Sequence, residues 1–403
     1  MNILMVTDSF YPDGFGGIHT YVYNLCRGLV EKGNKVTVIC PNFDLKFKKE
    51  EMIEGIEVFR YKSASKGKLL FLKRPLYNLL AYFCCRRLLK RGYDVINFHS
   101  CLPALPYNMM LKHPAKLNVY TFHASMFHEV FLQSKKKKYS RIIPVGFMLK
   151  VLHAIENINL KRADRIIVLS EFNKNEIMKH FRDIDESKIN IIPGGVDIYS
   201  FKPVAGGKEK ELAREKLKLP RKAFILFTIR RLVARMGLEN LIIAFKRLKT
   251  IFGDMYLVIG GDGFLRDRLN FEIAGYQLEK DILLAGKIKN EDLPLYYQAS
   301  DLFILPTEHL EGFGLVSLEA MASGLCVLGT PVGGTVEILK ELGDGFLFDG
   351  NSPDDIAGGI EKFIKKGYDI AELGRKCRDY VAEKYSWKSI VNIINSRYQE
   401  WLG

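Results

Sequence analysis

The chain has 403 residues, too many for one ordinary hydrophobic core and enough for two domains of about 200 residues each. With 48% hydrophobic, 26% charged and 12% aromatic residues its composition is globular, which excludes a disordered or fibrous chain. The net charge of +14, from 60 Lys and Arg against 46 Asp and Glu, favours an anionic partner (a nucleotide, a membrane surface or a nucleic acid) without choosing among them. No apolar run approaches the ~18 residues needed to span a bilayer. The longest, around Leu79 to Cys85, is short and lies between Arg74 and Arg86. The start, MNILMVTDSF, has no basic segment or cleavage site and reads as a buried strand rather than a signal peptide. Seven cysteines at irregular spacing contain no CxxC pair; Cys26, Cys40 and Cys326 lie in apolar runs, and Cys84 and Cys85 are adjacent on a helical pattern. The expectation is a reduced, cytoplasmic protein.

Short apolar runs alternate with helical patterns along the chain. Ile3 to Thr7 reads as a strand, followed by a glycine-rich loop at Gly14 to Gly17. A helix is expected from about Thr20 to Lys32, with Val22, Leu25, Cys26 and Leu29 on one face and Gly33 ending it. Further strands are expected at 35–40, 58–61, 95–98, 117–122, 165–169 and 189–192. The pattern restarts after Pro193-Gly-Gly-Val-Asp197; this turn and the polar stretch through Glu211 read as a linker. New strands follow at 223–228, 255–259, 282–284, 302–305 and 326–329, and Trp387 to Trp401 is an amphipathic helix with no strand after it. Such alternation implies parallel sheets covered on both faces, hence two doubly wound domains. Ligands then bind beyond the carboxyl ends of the strands, and two such domains facing each other would place the site in the cleft between them.

The segment Pro306 to Gly324, PTEHLEGFGLVSLEAMASG, begins just after a strand. Gly312 and Gly314 let the backbone turn tightly, and the helix that starts there offers free N–H groups to an anion. Glu311 and Glu319, eight residues apart, add carboxylates suited to sugar or ribose hydroxyls. In Thr228 to Leu238, Arg230, Arg231 and Arg235 bracket another strand-to-helix turn. An arginine fork gives phosphate two charge-assisted bonds, each worth about 1.5–3 kcal/mol. Two arginines and a helix end therefore supply much of the roughly 8 kcal/mol behind micromolar affinity. Gly260-Gly-Asp-Gly263 and Thr330-Pro-Val-Gly-Gly-Thr-Val-Glu337 are weaker glycine-rich turns, and Gly286-Lys287-Ile288 sits where backbone would meet a base edge. In the first half, Gly16 and Gly17 follow the first strand, and His123 and His99 lie at strand ends; the other six histidines, His128 and His180 among them, read as structural. No His or Cys pattern has zinc spacing, and Asp183-Ile-Asp185 lies in a charged surface stretch, so no metal is expected. Basic and bulky apolar residues interleave from Lys66 to Arg91 and from Lys135 through Arg141 to Leu149, a composition suited to an anionic bilayer. No nucleic-acid-reading motif is present, so nucleic acid is not an expected partner.

These motifs resemble those of the glycosyltransferases of family four over nearly the whole chain. The resemblance rests on Gly16-Gly17, Pro193-Gly-Gly-Val-Asp197, Arg231-Leu-Val-Ala-Arg-Met-Gly237, Gly261-Asp-Gly263 and Glu311-x7-Glu319. It implies the GT-B fold, an α/β arrangement of two doubly wound Rossmann-like domains facing across a cleft. Residues 1–196 would be the acceptor side, 197–385 would bind the nucleotide sugar, and 386–403 would form a helix packing back on the first domain.

The same resemblance assigns roles. Arg231 and a basic residue five positions later would hold the donor diphosphate; Met236 stands where a lysine is usual, which leaves that charge to Arg230 or Arg235. Glu319 would bind the ribose, the amides of Gly312 to Leu315, around Phe313, the diphosphate and sugar, and Glu311 the donor sugar. Gly16, Gly17 and Gly261 would lie near the phosphates, Lys287 and Ile288 near the base, and His123 near the reacting centre. The expected activity is a retaining, metal-independent transfer, without a cofactor, from a nucleotide-diphosphate sugar, UDP-linked by preference. The acceptor would be a hydroxyl of a glycan or lipid-linked saccharide at the inner face of a membrane. A sugar-nucleotide epimerase on the same fold and an inactive sugar-nucleotide sensor are the alternatives.

Overall fold

A computed structural model describes residues 1–12, 16–43, 47–63, 70–110, 115–135 and 145–403. Gly14 and much of the two basic stretches (66–69, 136–144 and the side chains of 70–76 and Lys135) lie outside what is described. Residues 1–194 with 387–403 form one compact unit, and residues 195–386 form another.

In chain order the first unit comprises β1 (Asn2–Val6), α1 (Gly17–Glu31), β2 (Lys35–Asn42), β3 (Glu50–Ile53), β4 (Ile56–Lys62), α2 (Leu70–Leu89), β5 (Val95–Phe98), α3 (Cys101–Met110), β6 (Leu117–Phe122), α4 (Met126–Lys135), α5 (Val145–Arg162), β7 (Arg165–Val168), α6 (Glu171–His180) and β8 (Ile189–Ile191). They build an eight-stranded sheet in the order β3-β4-β2-β1-β5-β6-β7-β8. Seven strands run parallel; β3 alone is antiparallel, joined to β4 by the two-residue turn Glu54–Gly55. Sequence reading misses β3 because Glu-Glu-Met-Ile on a sheet edge has no apolar run. The central strands are apolar on both faces, with Ile3 to Val6 and Val95 to Phe98 buried throughout, as a sheet covered by helices on both sides requires. α1 starts at Gly17, three residues before the expected position, and buries Val22, Leu25, Cys26 and Leu29 as one stripe.

The second unit comprises α7 (Gly207–Lys216), β9 (Phe224–Ile229), α8 (Leu238–Phe252), β10 (Met255–Gly260), α9 (Arg266–Gly275), β11 (Ile282–Gly286), α10 (Leu293–Ala299), β12 (Leu302–Leu305), α11 (Leu315–Ala322), β13 (Cys326–Gly329), α12 (Thr335–Leu339), α13 (Pro353–Lys365) and α14 (Ile370–Tyr385). Its five strands are all parallel, in the order β11-β10-β9-β12-β13. The supposed linker through Glu211 is shorter than expected, because Gly207 onward is already α7. That helix is polar but anchored: Arg214 Nη2 and Lys210 Nζ reach Asp301 at 2.7 and 2.6 Å, and Arg214 also donates to the Ala299 carbonyl. Charge pairing rather than an apolar stripe holds it, so hydrophobic periodicity does not reveal it.

The last helix, α15 (Trp387–Leu402), belongs to the first unit and packs along α1. Tyr398 is fully buried and its hydroxyl accepts from Asn97 Nδ2 at 2.7 Å, while Asn97 Oδ1 accepts from Thr121 at 2.9 Å. One turn earlier on the helix, Asn395 accepts from Asn34 Nδ2 at 2.9 Å. Buried polar groups satisfied in this way fix the register of a helix on its sheet.

Candidate active site

In the second sheet, successive connections leave in opposite directions between β9 and β12. Open α/β sheets bind ligands beyond the carboxyl ends of the strands at such a switch point. Arg230 and Arg231 emerge there from β9, and residues 306–314 emerge from β12 and lead into α11.

Arg230 is buried and Arg231 is not: the first is 8% exposed and the second belongs to the exposed surface. Arg230 Nη2 is paired with the Glu311 carboxylate and lies 3.1 Å from the sulfur of Met236. Thr307 Oγ1 donates to the same carboxylate oxygen at 3.0 Å. Burial pushes the Glu311 carboxyl up, but Arg230, then Arg235 and the hydrogen bonds, hold it below the usual carboxylate range. It is therefore ionised, as a buried pair must be to hold together. Arg230 Nη1 is buried with no hydrogen-bond partner in the protein. Arg235 braces the loop after β12: its Nη1 donates to the Leu310 carbonyl at 2.8 Å, and its carbonyl accepts from Glu308 and His309 at 2.9 and 3.2 Å.

Several glycines serve this architecture. Gly261 has φ +117°, and a Cβ there would lie 1.8 Å from the Arg230 carbonyl. Gly333, in the turn after β13, has φ +64°, and its Cβ would lie 2.1 Å from the Glu311 carbonyl. The sequence shows both as weaker glycine-rich turns, with Gly261 expected near the phosphates; in the fold they also lie against the backbone of Arg230 and Glu311, where no side chain fits. Gly312 and Gly314 differ, since Gly314 caps α11 at φ +86° and the first N–H groups of that helix have no helical acceptor. Phe313 packs its ring inward near Tyr385, at 5.9 Å between centroids, and leaves only its backbone for a ligand; Leu315 opens the helix half-buried. Lys287 is exposed just beyond β11, while Ile288 is buried over Gly260.

Glu319, on α11, is 8% exposed and accepts from the hydroxyl of fully buried Tyr297 at 2.9 Å. Tyr297 carries no motif, so sequence reading misses it. Burial pushes the Glu319 carboxyl up to about 7. The two glutamates thus sit eight residues apart with opposite leanings, one held charged by arginine and the other leaning neutral. Because the folded protein binds this proton more tightly than the unfolded chain does, Glu319 stabilises the fold below about pH 4.5, and the contribution fades as pH rises to about 7. Glu319→Gln is expected to flatten that part of the stability curve. Chemical unfolding of both proteins at pH 5 and pH 7.5 measures it, and equal pH slopes would contradict the assignment.

In the first sheet the switch point lies between β1 and β5. Gly16 caps α1 and Gly17 opens it, beyond β1. His99 follows β5 and His123 follows β6, with His99 Nδ1 3.2 Å from His123 Nε2. Tyr21 of α1 packs its ring edge-on against His123, 4.9 Å between centroids, and Trp387 packs on Tyr21 at 5.3 Å. Burial pushes His123 down to about 3 and His99 well below the ordinary imidazole value, so both rings are neutral near pH 7. His19, read as structural, is buried in the first turn of α1 with an unpartnered Nδ1 and is held neutral by burial, down to about 4.

Known proteins resemble this chain in sequence and in fold. Residues 15–199 match the family model described as Glycosyltransferase Family 4, and residues 209–384 match the one described as Glycosyl transferases group 1. The chain is 28% identical over 399 residues to an uncharacterized glycosyltransferase of Methanocaldococcus jannaschii, covering 97% of this chain and 96% of that protein. A lipopolysaccharide 1,2-N-acetylglucosaminetransferase of Salmonella typhimurium is 28% identical over 251 residues, covering 59% of this chain and 62% of that protein. The structure of Anabaena HepE in complex with UDP-glucose matches with a TM-score of 0.76 at 17% identity, over 99% of this chain and all of that one. The chain belongs to the family-4 glycosyltransferases and has the GT-B fold. Its activity is glycosyl transfer.

Proposed function

We propose that the chain moves a sugar from a UDP-linked donor, with retention of anomeric configuration, to a hydroxyl of a glycan or lipid-linked acceptor. The observation that carries this reading is at the β9–β12 switch point. A buried guanidinium with one unsatisfied N–H, the N-terminus of α11 and the ribose-suited Glu319 all belong to the carboxyl end of the second sheet. In this reading the second unit binds the donor and the first unit the acceptor. Two similar proteins support the substrate classes: the HepE structure holds UDP-glucose, and the Salmonella typhimurium protein is named a lipopolysaccharide N-acetylglucosaminetransferase. Contact with an anionic membrane is supported by Leu79, Phe83, Met109, Met110 and Phe147, all exposed on α2, α3 and α5 of the first unit, beside exposed Arg86, Arg87 and Lys90. None of the helices among the described residues is long and apolar enough to cross a membrane.

The bond from the sugar C1 to the diphosphate oxygen breaks while the acceptor oxygen bonds to C1 from the same face. The acceptor's proton passes to the departing diphosphate oxygen, which leaves as UDP. Arg231, Nη1 of Arg230 and the N–H groups at Leu315 and Val316 meet the charge that grows on the diphosphate, so the reading needs no metal. Glu311 aligns Arg230 and faces the donor sugar. Neutral His123 offers a hydrogen bond to a sugar hydroxyl without adding charge.

A thermal-shift screen of UDP-, GDP- and ADP-sugars is expected to single out a UDP-sugar. Transfer to an added acceptor should then give a product with the donor's anomeric configuration by NMR. Release of a free epimer without acceptor would replace this reading with the epimerase, and binding without turnover would leave a sensor. Glu319→Ala is expected to weaken UDP about 10- to 100-fold by calorimetry, or about 1.4–2.8 kcal/mol; unchanged affinity would refute the ribose contact.

A further inference from the structure

Away from the donor site, His128 of α4 and Glu176 and His180 of α6 converge in the first unit. Their ligating atoms all lie within 4.8 Å of one another. Glu176 and His180 are one turn apart on α6 and share a face. His128 Nδ1 approaches Glu176 Oε2 to 2.9 Å, and His180 Nε2 lies 3.9 Å from Glu176 Oε1. The two imidazole rings stand at 88° to each other with centroids 3.9 Å apart. All three side chains are mostly shielded, at 13%, 16% and 27% exposure.

We propose that His128, Glu176 and His180 form a binding site for a zinc-class divalent cation that clips α4 to α6.

Two details favour a cation over a simple ion pair. In a tetrahedral site with ligand bonds of about 2.0–2.2 Å, neighbouring donor atoms stand roughly 3.3–3.5 Å apart. The observed 2.9 and 3.9 Å, to the two oxygens of Glu176, bracket that span, and with all three ligating atoms within 4.8 Å modest side-chain shifts close the site. Secondly, Nδ1 of His128 has no aligned hydrogen bond despite its short approach to Glu176. The carboxylate oxygen lies off the axis of the ring nitrogen. A shared metal occupies the lone-pair direction of the nitrogen and leaves the neighbouring ligand off that axis.

The ligands are also firmly held. Ser125 caps α4 by accepting from the His128 amide at 3.2 Å. Buried Glu156 of α5 accepts from Ser125 Oγ at 2.9 Å and from the Met126 amide at 2.5 Å. On α6, Ser170 caps the helix by accepting from the Asn173 amide at 3.1 Å. Two imidazoles and one carboxylate suit zinc, cobalt or nickel rather than calcium or magnesium, and a three-residue set leaves a position for water. Asn173 Nδ2 also donates to the His123 carbonyl at 3.2 Å. A metal at this clip would therefore steady the turn that presents His123.

The full-length chain, stripped with chelator and dialysed, is expected to take up one Zn2+ per molecule with micromolar or tighter affinity by calorimetry. Co2+ should give the intense visible absorption of a four-coordinate ion. Glu176→Gln, which keeps side-chain shape, and His180→Ala are each expected to weaken Zn2+ at least 30-fold with unchanged far-UV circular dichroism. No stoichiometric uptake by the wild-type chain would overturn the proposal, and so would uptake of equal affinity in both variants. If His180→Ala fails to fold, the Glu176→Gln titration and the wild-type cobalt spectrum still decide the question.

Discussion

Arg230→Met is expected to lower folding stability by about 3–5 kcal/mol and glycosyl transfer by about three orders of magnitude. The stability loss follows from burial. Glu311 is 7% exposed and its carboxylate is paired with Arg230, so removing the guanidinium leaves a buried charge without its partner. The transfer loss follows from the unsatisfied Nη1 at the switch point, which the proposed chemistry directs at the leaving diphosphate. Combining Arg230→Met with Glu311→Gln separates the two effects. The double variant should recover most of the stability, since no unpaired charge remains, but none of the transfer. Urea unfolding and a transfer assay on all four proteins measure this, and strictly additive stability losses would show that the pair is not coupled.

Arg231→Ala is expected to give the complementary result. Arg231 is exposed, so its loss should change stability by no more than about 0.5 kcal/mol. If it grips the diphosphate, turnover should fall by two to three orders of magnitude, about 2.7–4 kcal/mol of transition-state stabilisation. A turnover within threefold of wild type would remove Arg231 from the mechanism. Adjacent arginines with such different signatures would show that the strand end splits one task between a buried and an exposed guanidinium.

Most of the strands, and the Glu311 and Glu319 spacing, were legible because they rest on local rules: apolar runs, a glycine before a helix, and a carboxylate eight residues from its partner. The Arg230–Glu311 pair was not, since its members are 81 residues apart and meet only when β9 and β12 lie side by side. The choice between Arg230 and Arg235 at the position of Met236 was open in the sequence for the same reason. Burial and pairing set the two apart: Arg230 touches Met236 and has a buried Nη1 without a hydrogen-bond partner, while Arg235 braces the loop after β12. Gly261 and Gly333 were legible as turns but not as supports, because a ligand and a carbonyl ask the same thing of a glycine. Tyr297 and α7 left no periodic or spaced signal, and the one-turn spacing of Glu176 and His180 did not foretell that His128 would join them.

The assignment of α15 to the first unit has a consequence for biosynthesis. The partners of Tyr398, Tyr21 among its neighbours and Asn97 in the sheet, leave the ribosome early, while the helix that completes them is made only after the whole second unit. At about 5–20 residues per second, the nascent first unit waits roughly 10–40 s for the intervening 195–386 segment to be translated. During that interval one wall of α1 stays wet and Asn97 lacks its hydroxyl partner. The middle segment, by contrast, is contiguous and can reach its own fold while the flanking parts are still incomplete.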